Sequence, residues 1–182
     1  MLYLNIPERE YFDENSMTFT MLKAQKIQME HSLVSLSKWE SKFKKPFLSQ
    51  EEKTKEEVYE YFKCMTITQN VDPDIYRTFA PDILKQIEDY INDPMTATWF
   101  NERNPNRGPK SSEVITAEIL YYDMIALNIP MECQKWHLNR LMTLIRVCSI
   151  KNQPAEKMST RDIMNQNRAL NAARRAKSRS KG

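Results

Sequence analysis

The stretch that decides the fold is ITAEILYYDMIALNIPMECQKWHLNRLMTLIRVCSIKN, residues 115–152. Its apolar side chains recur at intervals of three and four residues, which is the spacing of amphipathic helices. We predict one helix from Thr116 to Leu127 and a second from about Pro130 to Ile150. The connection between them is short, so the two helices are expected to pack antiparallel in the core. Leu141 and Leu144 are expected at the centre of that core.

Shorter helices are predicted upstream of this stretch from capping and proline signals. A Ser or Thr followed three residues later by Glu is typical of a helix start, and so is proline in the first turn. The predicted starts are Ser37, Thr54, Asp72-Pro73 and Ala80-Pro81. The predicted ends of the first, second and fourth of these segments are Pro46, Met65 and Asp93-Pro94.

The N-terminal residues alternate between apolar and polar side chains, as β-strands do. MTFTMLK and KIQMEH predict a hairpin around Ala24-Gln25, and Leu2–Leu4 predicts a third strand. HSLVSL (31–36) could prolong the second hairpin strand or open a helix, and we assign it to the strand. The expected fold is therefore α+β and mainly α. It comprises an N-terminal antiparallel sheet (1–36), a compact helical core (37–152) and a basic C-terminal helix and tail (153–182).

Glycine scarcity excludes several classes of function. The chain has two glycines, and the only interior one is Gly108. Phosphate-binding loops, dinucleotide-binding turns and nucleophile elbows all need glycine where the backbone approaches a ligand closely. No Ser-His-Asp, Cys-x-x-Cys or His-Glu-x-x-His pattern replaces them. We therefore expect a non-enzymatic binding protein without a cofactor.

Cysteine usage and hydropathy indicate where such a protein would work. The three cysteines are odd in number and unclustered, so disulfides are not expected. The longest apolar stretches fall short of the roughly 20 residues that a membrane span needs. The first residues do not resemble a secretory signal. These features predict a protein of the reducing cytoplasm.

The charge distribution separates the C-terminal residues from the rest. From Lys151 onward, nine Lys and Arg residues against Glu156 and Asp162 give +7. Since the whole chain carries +3, the first 150 residues carry −4. Arg161, Arg168 and Arg175 are seven residues apart, nearly two helical turns, and therefore share one side of a helix. This arginine stripe could bind carboxylates or phosphates of a partner, or it could only keep the chain soluble.

Two sets of aromatic residues lie beside basic residues. Trp99 and Phe100 precede the polar segment NERNPNRGPKSS, in which Arg107 is one of three basic residues. This segment could contact a partner, or its aromatics could turn inward. Trp136 and Arg140 are four residues apart, so the guanidinium can lie over the indole. That pair has the composition of an interaction hot spot, or the indole could pack on the preceding helix.

Cys133 and His137 have a spacing that metal ligands can have. Their spacing of four residues would place both side chains on one face of the predicted helix. The same face is otherwise apolar, which favours a packed thiol and a hydrogen-bonded imidazole. We therefore predict no metal site.

Several segments resemble a known family. They are HSLVSLSKWESKFKKPFL (31–48), MTITQNVDP (65–73), DPMTATWF (93–100), residues 115–152 and NRALNAARR (167–175). They resemble tail assembly chaperone-like proteins of long-tailed bacteriophages and prophages, over about residues 27–175. The resemblance implies a factor of the host cytoplasm that coats the long helical tape measure protein, keeps it soluble and helps tail-tube subunits polymerise around it.

The family offers no catalytic residue to carry over. The expected partners are the tape measure protein and tail-tube subunits, self-association is left open, and neither nucleic acid nor a membrane is expected. The alternatives are a head–tail connector or tail-completion protein retained in the particle, and a scaffold that binds DNA through its basic tail. A chaperone of long helices needs apolar surfaces and adaptable side chains, and the eleven methionines suit that need.

Overall fold

A computed structural model describes residues 1–13, 17–100, 114–152 and 160–178. The chain forms two compact units, Met1–Ser149 and Ile150–Gly182. The fold is α+β and mainly α, with antiparallel strands at the N-terminus, as predicted.

The four strands form one long, interrupted hairpin. They are β1 (Leu2–Ile6), β2 (Arg9–Asp13), β3 (Thr18–Leu22) and β4 (Gln25–Met29), and β1 pairs with β4 while β2 pairs with β3. Both ladders keep one register, because Ile6 faces Gln25 and, three residues further along each strand, Arg9 faces Leu22. Pro7 lies in the interruption, where its missing N–H cannot join a ladder.

The third strand predicted at Leu2–Leu4 is confirmed, whereas the predicted turn at Ala24-Gln25 is wrong. MTFTMLK and KIQMEH supply β3 and β4, which are successive parts of the same returning strand. The chain reverses between Asp13 and Thr18 instead. The Ala24 region carries no Asn-Gly or similar turn signal, and it only marks the break between the two ladders.

The assignment of HSLVSL to a strand is also wrong. Helix α1 spans Leu33–Phe43 and begins within that segment. Its N-cap is Ser32, whose side chain accepts from the Ser35 N–H, while the Ser35 hydroxyl accepts from the Ser32 N–H. This reciprocal pair displaces the predicted cap at Ser37, which lies inside α1. The helix ends before Pro46, at Lys44 in the left-handed conformation with φ 57°.

The next helices follow the sequence prediction closely. Helix α2 spans Lys55–Met65 behind a complete Thr54–Glu57 capping box. The segment after Asp72 is a 3-10 helix, Pro73–Thr78, and α3 spans Pro81–Asn92. Helix α4 spans Ala117–Ala126.

The long helix predicted from Pro130 to Ile150 is interrupted. Residues Met131–Lys135 form a 3-10 helix, and α5 spans Leu138–Asn152. The interruption has a tertiary cause, because the Leu138 N–H donates to the His31 carbonyl oxygen at 2.7 Å. Ser32 and His137 form an isolated antiparallel bridge at the same place. Pairing with His31 and Ser32, just before α1, therefore replaces helical structure at Trp136 and His137.

The first unit has two clusters of buried apolar side chains. One joins the inner face of β1 and β4 to α2, α3 and Trp39 of α1. The other joins Leu33 and Leu36 of α1 to α4 and α5. Leu141 is fully buried in this second cluster as predicted, while Leu144 is only partly buried at its border. Helix α4 packs most closely on α1 rather than on α5.

The second unit contains α6, Thr160–Ser178, which lies within the range predicted for the basic C-terminal helix and tail, 153–182.

Candidate interaction surface

Helix α4 has apolar side chains on its exposed side as well as on the side that faces the core, and it also carries the charged residues Glu118 and Asp123. Ala117, Leu120 and Met124 are buried, whereas Tyr122 is 69% exposed and Ile125 is 66% exposed. We call Tyr122 and Ile125 the α4 outer face. Two large apolar side chains exposed one turn apart are a candidate contact surface, and the exposed Glu118 lies beside them.

The residues on either side of α4 extend this apolar surface in sequence. Val114 and Ile115 lead into the helix and are exposed, and Met131 after it is exposed as well. Tyr121 is turned the other way, and its hydroxyl donates to the Gln134 side-chain oxygen at 3.0 Å. That bond ties α4 to the 3-10 helix that precedes α5.

The structure brings Trp136 and Arg140 together. The Arg140 guanidinium lies 4.3 Å from the centre of the Trp136 ring. Trp136 precedes α5 instead of lying within a longer helix, and its ring is partly buried against the second cluster. The predicted contact between the two side chains is therefore present, with the indole partly buried, and a role of the pair in partner binding stays a prediction.

Phe100 forms a similar pair with Arg146 of α5. The Arg146 guanidinium lies 3.9 Å from the centre of the Phe100 ring, while the adjacent Trp99 is 79% exposed. Arg107 lies outside the described residues. Helix α5 thus carries two of the aromatic–cation pairs, and each includes an aromatic residue that the sequence singled out.

The arginine stripe belongs to the second unit. Arg161, Arg168 and Arg175 all lie in α6, and the latter two are exposed. The apolar side chains of Met164 and Leu170 are exposed on the same helix. A single helix that exposes apolar side chains gains most of its stability when it packs against another surface.

The outer half of the hairpin is a further apolar region. Phe12 and Phe19 face each other across β2 and β3 with ring centres 5.0 Å apart, and both are exposed. The alternation of the sequence predicted β3, but it gave no sign that this part of the hairpin has an exposed apolar face.

Cys133 and His137 do not share a helix face, because the 3-10 helix ends between them. The His137 Nε2 atom lies 2.9 Å from the Tyr90 carbonyl oxygen, and its Nδ1 accepts from the Asn139 N–H at 3.3 Å. No group of three or more potential metal ligands occurs within the described ranges. The imidazole thus connects the end of α3 to the start of α5.

His31 is the unexpected neighbour of His137. The two buried rings stack edge to face with their centres 5.1 Å apart, and His31 Nδ1 lies 2.6 Å from the Tyr61 hydroxyl oxygen. Burial, reinforced by the nearby His137, lowers the pKa of His31 from 6.5 to about 4. His31 is therefore neutral near pH 7. Its contacts with Tyr61 and His137 link α2 to the place where α3 meets the start of α5.

Comparison with known proteins adds no assignment: no family model matches this chain, and no curated protein or solved structure shows significant similarity. Within the described part of the chain, no helix is both long enough and apolar enough to cross a membrane.

Proposed function

We propose that this protein is a phage tail assembly chaperone that binds and solubilises the tape measure protein and assists assembly of the tail tube. It acts in the host cytoplasm as a binding protein, not as an enzyme. The observation that carries this proposal is the apolar outer face of α4, in the segment where the sequence resembles such chaperones most extensively.

The chemistry of the α4 outer face suits a helical target. Tyr122 and Ile125 lie one turn apart, so they present an aromatic and an aliphatic side chain side by side. An amphipathic target helix can lay its apolar stripe against such a pair, as in other helix-recognition surfaces. Tyrosine also supplies a large contact area at a low cost in conformational entropy.

The basic helix supplies a second kind of contact. Arg168 and Arg175 are exposed on α6, where they can approach acidic residues of the target. A long target offers many similar sites along its length. Many copies, each making modest contacts, then bind with a combined strength that a single copy does not reach.

Co-expression tests the proposal directly. The chain is produced together with the long helical protein of its own gene cluster, and the soluble fraction of that protein is measured. The wild type should keep the target soluble in a complex of high stoichiometry. Tyr122→Glu and Ile125→Glu should lose this effect, because a carboxylate must be desolvated in the contact. Ile67→Glu is the matched control, since Ile67 is also exposed but lies beside β4.

The composition of finished particles separates this proposal from its alternative. A chaperone should be absent from purified particles, whereas a connector or tail-completion protein would remain in them at a low, fixed copy number. If the wild type neither binds the target nor changes its solubility, the chaperone proposal is wrong.

A further inference from the structure

A groove of about 310 Å³ opens between α2 and α3, outside the surfaces considered above. Its lining consists of five apolar side chains and one carboxylate: Val58, Phe62, Leu84, Ile87, Glu88 and Ile91. Phe62 and Ile87 are buried and belong to the first cluster, so they form the floor. Val58 and Ile91 are partly buried, and Leu84 stands at the rim with 37% of its surface exposed.

Water is a poor occupant of this groove. An ordered water molecule needs two to four polar partners, and the lining offers polar atoms mainly at Glu88. The apolar floor therefore lacks contacts that a side chain of suitable shape would supply. Filling the groove with apolar side chains removes this surface from water at a gain of roughly 25 cal/mol per Å².

The dimensions of the groove match a helix. One wall of the groove extends along about two turns of α3, a rise of roughly 10 Å, and is formed by Leu84, Ile87 and Ile91. Val58 and Phe62 place the opposite wall along about one turn of α2. A helix that presents apolar side chains at positions i, i+3 or i+4 and i+7 spans the same length.

The charges around the groove determine which charged residues a bound helix should carry beside its apolar stripe. Glu88 is exposed at the rim, and no cation within the described residues forms an ion pair with it. Asp82 and Asp89 lie on the same helix, with Lys85 as the opposing charge, so α3 is acidic. The first 150 residues, which include α3, have a net charge of −4. A basic residue beside the apolar stripe is favoured here, and an acidic one is repelled.

From these features we propose that the α2–α3 groove binds an amphipathic helix of a partner protein that carries Lys or Arg next to its apolar stripe. The groove belongs to the first cluster, whereas the α4 outer face belongs to a helix of the second cluster. The inference is independent of the proposed function, and it applies to any partner that presents such a helix.

Three synthetic peptides of about 15 residues test the proposal, a length at which helices are marginally stable in water. The first has a leucine stripe flanked by lysine, the second replaces the lysines by glutamate, and the third scrambles the order of the first. Binding to the full chain is measured by fluorescence anisotropy at low salt. The lysine peptide should bind about threefold to fivefold more tightly than the glutamate peptide, which is the upper part of the range measured for an exposed charge pair.

Two charge reversals on α3 form a matched pair. Glu88→Lys should reverse the preference between the lysine and glutamate peptides. Asp89→Lys changes the net charge equally on the same helix, but Asp89 does not line the groove, so the preference should stay. Leu84→Glu should lower the affinity for the lysine peptide more than tenfold, because the substitution places a carboxylate in an apolar contact. Leu84→Ala is the milder variant if Leu84→Glu impairs folding, which circular dichroism reveals.

Three results would each overturn the inference. The scrambled peptide could bind as tightly as the lysine peptide, or Glu88→Lys and Asp89→Lys could have equal effects. Sedimentation could also show that the wild type self-associates and that Leu84→Glu abolishes the association. In that last case the occupant is a second copy of this chain and not a partner protein.

Discussion

Acidification should destabilise the first unit through His31. Its pKa in the folded protein is about 4, against 6.5 for an unperturbed imidazole, because the ring is buried next to His137. The unfolded chain therefore binds a proton at His31 more readily than the folded chain does. Stability from this group is complete above about pH 6.5 and is lost as the pH falls through about 4.

The size of the effect follows from the shift. One pKa unit corresponds to about 1.4 kcal/mol, so the complete loss below pH 4 is about 3 kcal/mol. Between about pH 7.5 and about pH 5 the loss should be about 2 kcal/mol. Contact with Lys45 lowers the pKa of the Glu57 carboxyl group below 4.5. Burial raises the pKa of Glu60, but contacts with Lys42 and Lys63 outweigh it and lower the value below 4.5. The stability that these two groups contribute is therefore lost only at still lower pH.

Urea unfolding followed by tryptophan fluorescence across this interval measures the loss. His31→Asn is the control, because asparagine does not titrate and can still hydrogen-bond to the Tyr61 hydroxyl. The variant should be less stable at neutral pH but nearly independent of pH between about 7 and about 5. Equal pH dependence in wild type and variant, or a His31 ring that titrates near 6.5 by NMR, would refute this reasoning.

Three further predictions concern stability and can be checked by the same unfolding measurement. Lys44→Gly should stabilise the protein by about 0.5–1 kcal/mol, because Lys44 has φ 57° and glycine adopts that conformation without strain; a loss of stability would show that the lysine side chain contributes more than its backbone costs. Leu141→Ala should cost about 2–5 kcal/mol and Leu144→Ala clearly less, because only Leu141 is fully buried; equal losses would contradict the observed core. Glu40→Gln should cost about 1–3 kcal/mol, since each oxygen of the buried side chain accepts one backbone N–H at 2.7 Å and the amide NH2 that replaces one oxygen cannot accept; an unchanged midpoint would contradict this role of Glu40.

Local signals predicted much of the helical structure. The Thr54–Glu57 box and the proline at position 81 mark helix starts by interactions within one turn, so a short window of sequence contains them. The hairpin, in contrast, is determined by pairs of residues that are far apart in sequence. Its register is set by pairs such as Leu2 with Met29, and the alternation of each strand is compatible with several partners.

Long-range contacts also explain what the sequence missed at the candidate surfaces. The spacing of Trp136 and Arg140 correctly suggested that they meet, even though the helix expected between them is broken. The break itself arises from the His31 carbonyl, more than a hundred residues away in sequence. The sequence also gave little sign that Tyr122 is exposed, because the apolar side chains of α4 lie on both its buried and its exposed sides.

Helix α1 belongs to both clusters of buried side chains, and this affects how the first unit unfolds. Its Trp39 belongs to one cluster and its Leu33 and Leu36 belong to the other, so the same eleven-residue helix is a wall of both. Neither cluster can lose its packing without uncovering one side of α1, and an α1 uncovered on one side supports the other cluster less well. The two clusters of the first unit should therefore unfold in a single cooperative step. Calorimetry should show one peak whose calorimetric enthalpy equals the van't Hoff enthalpy.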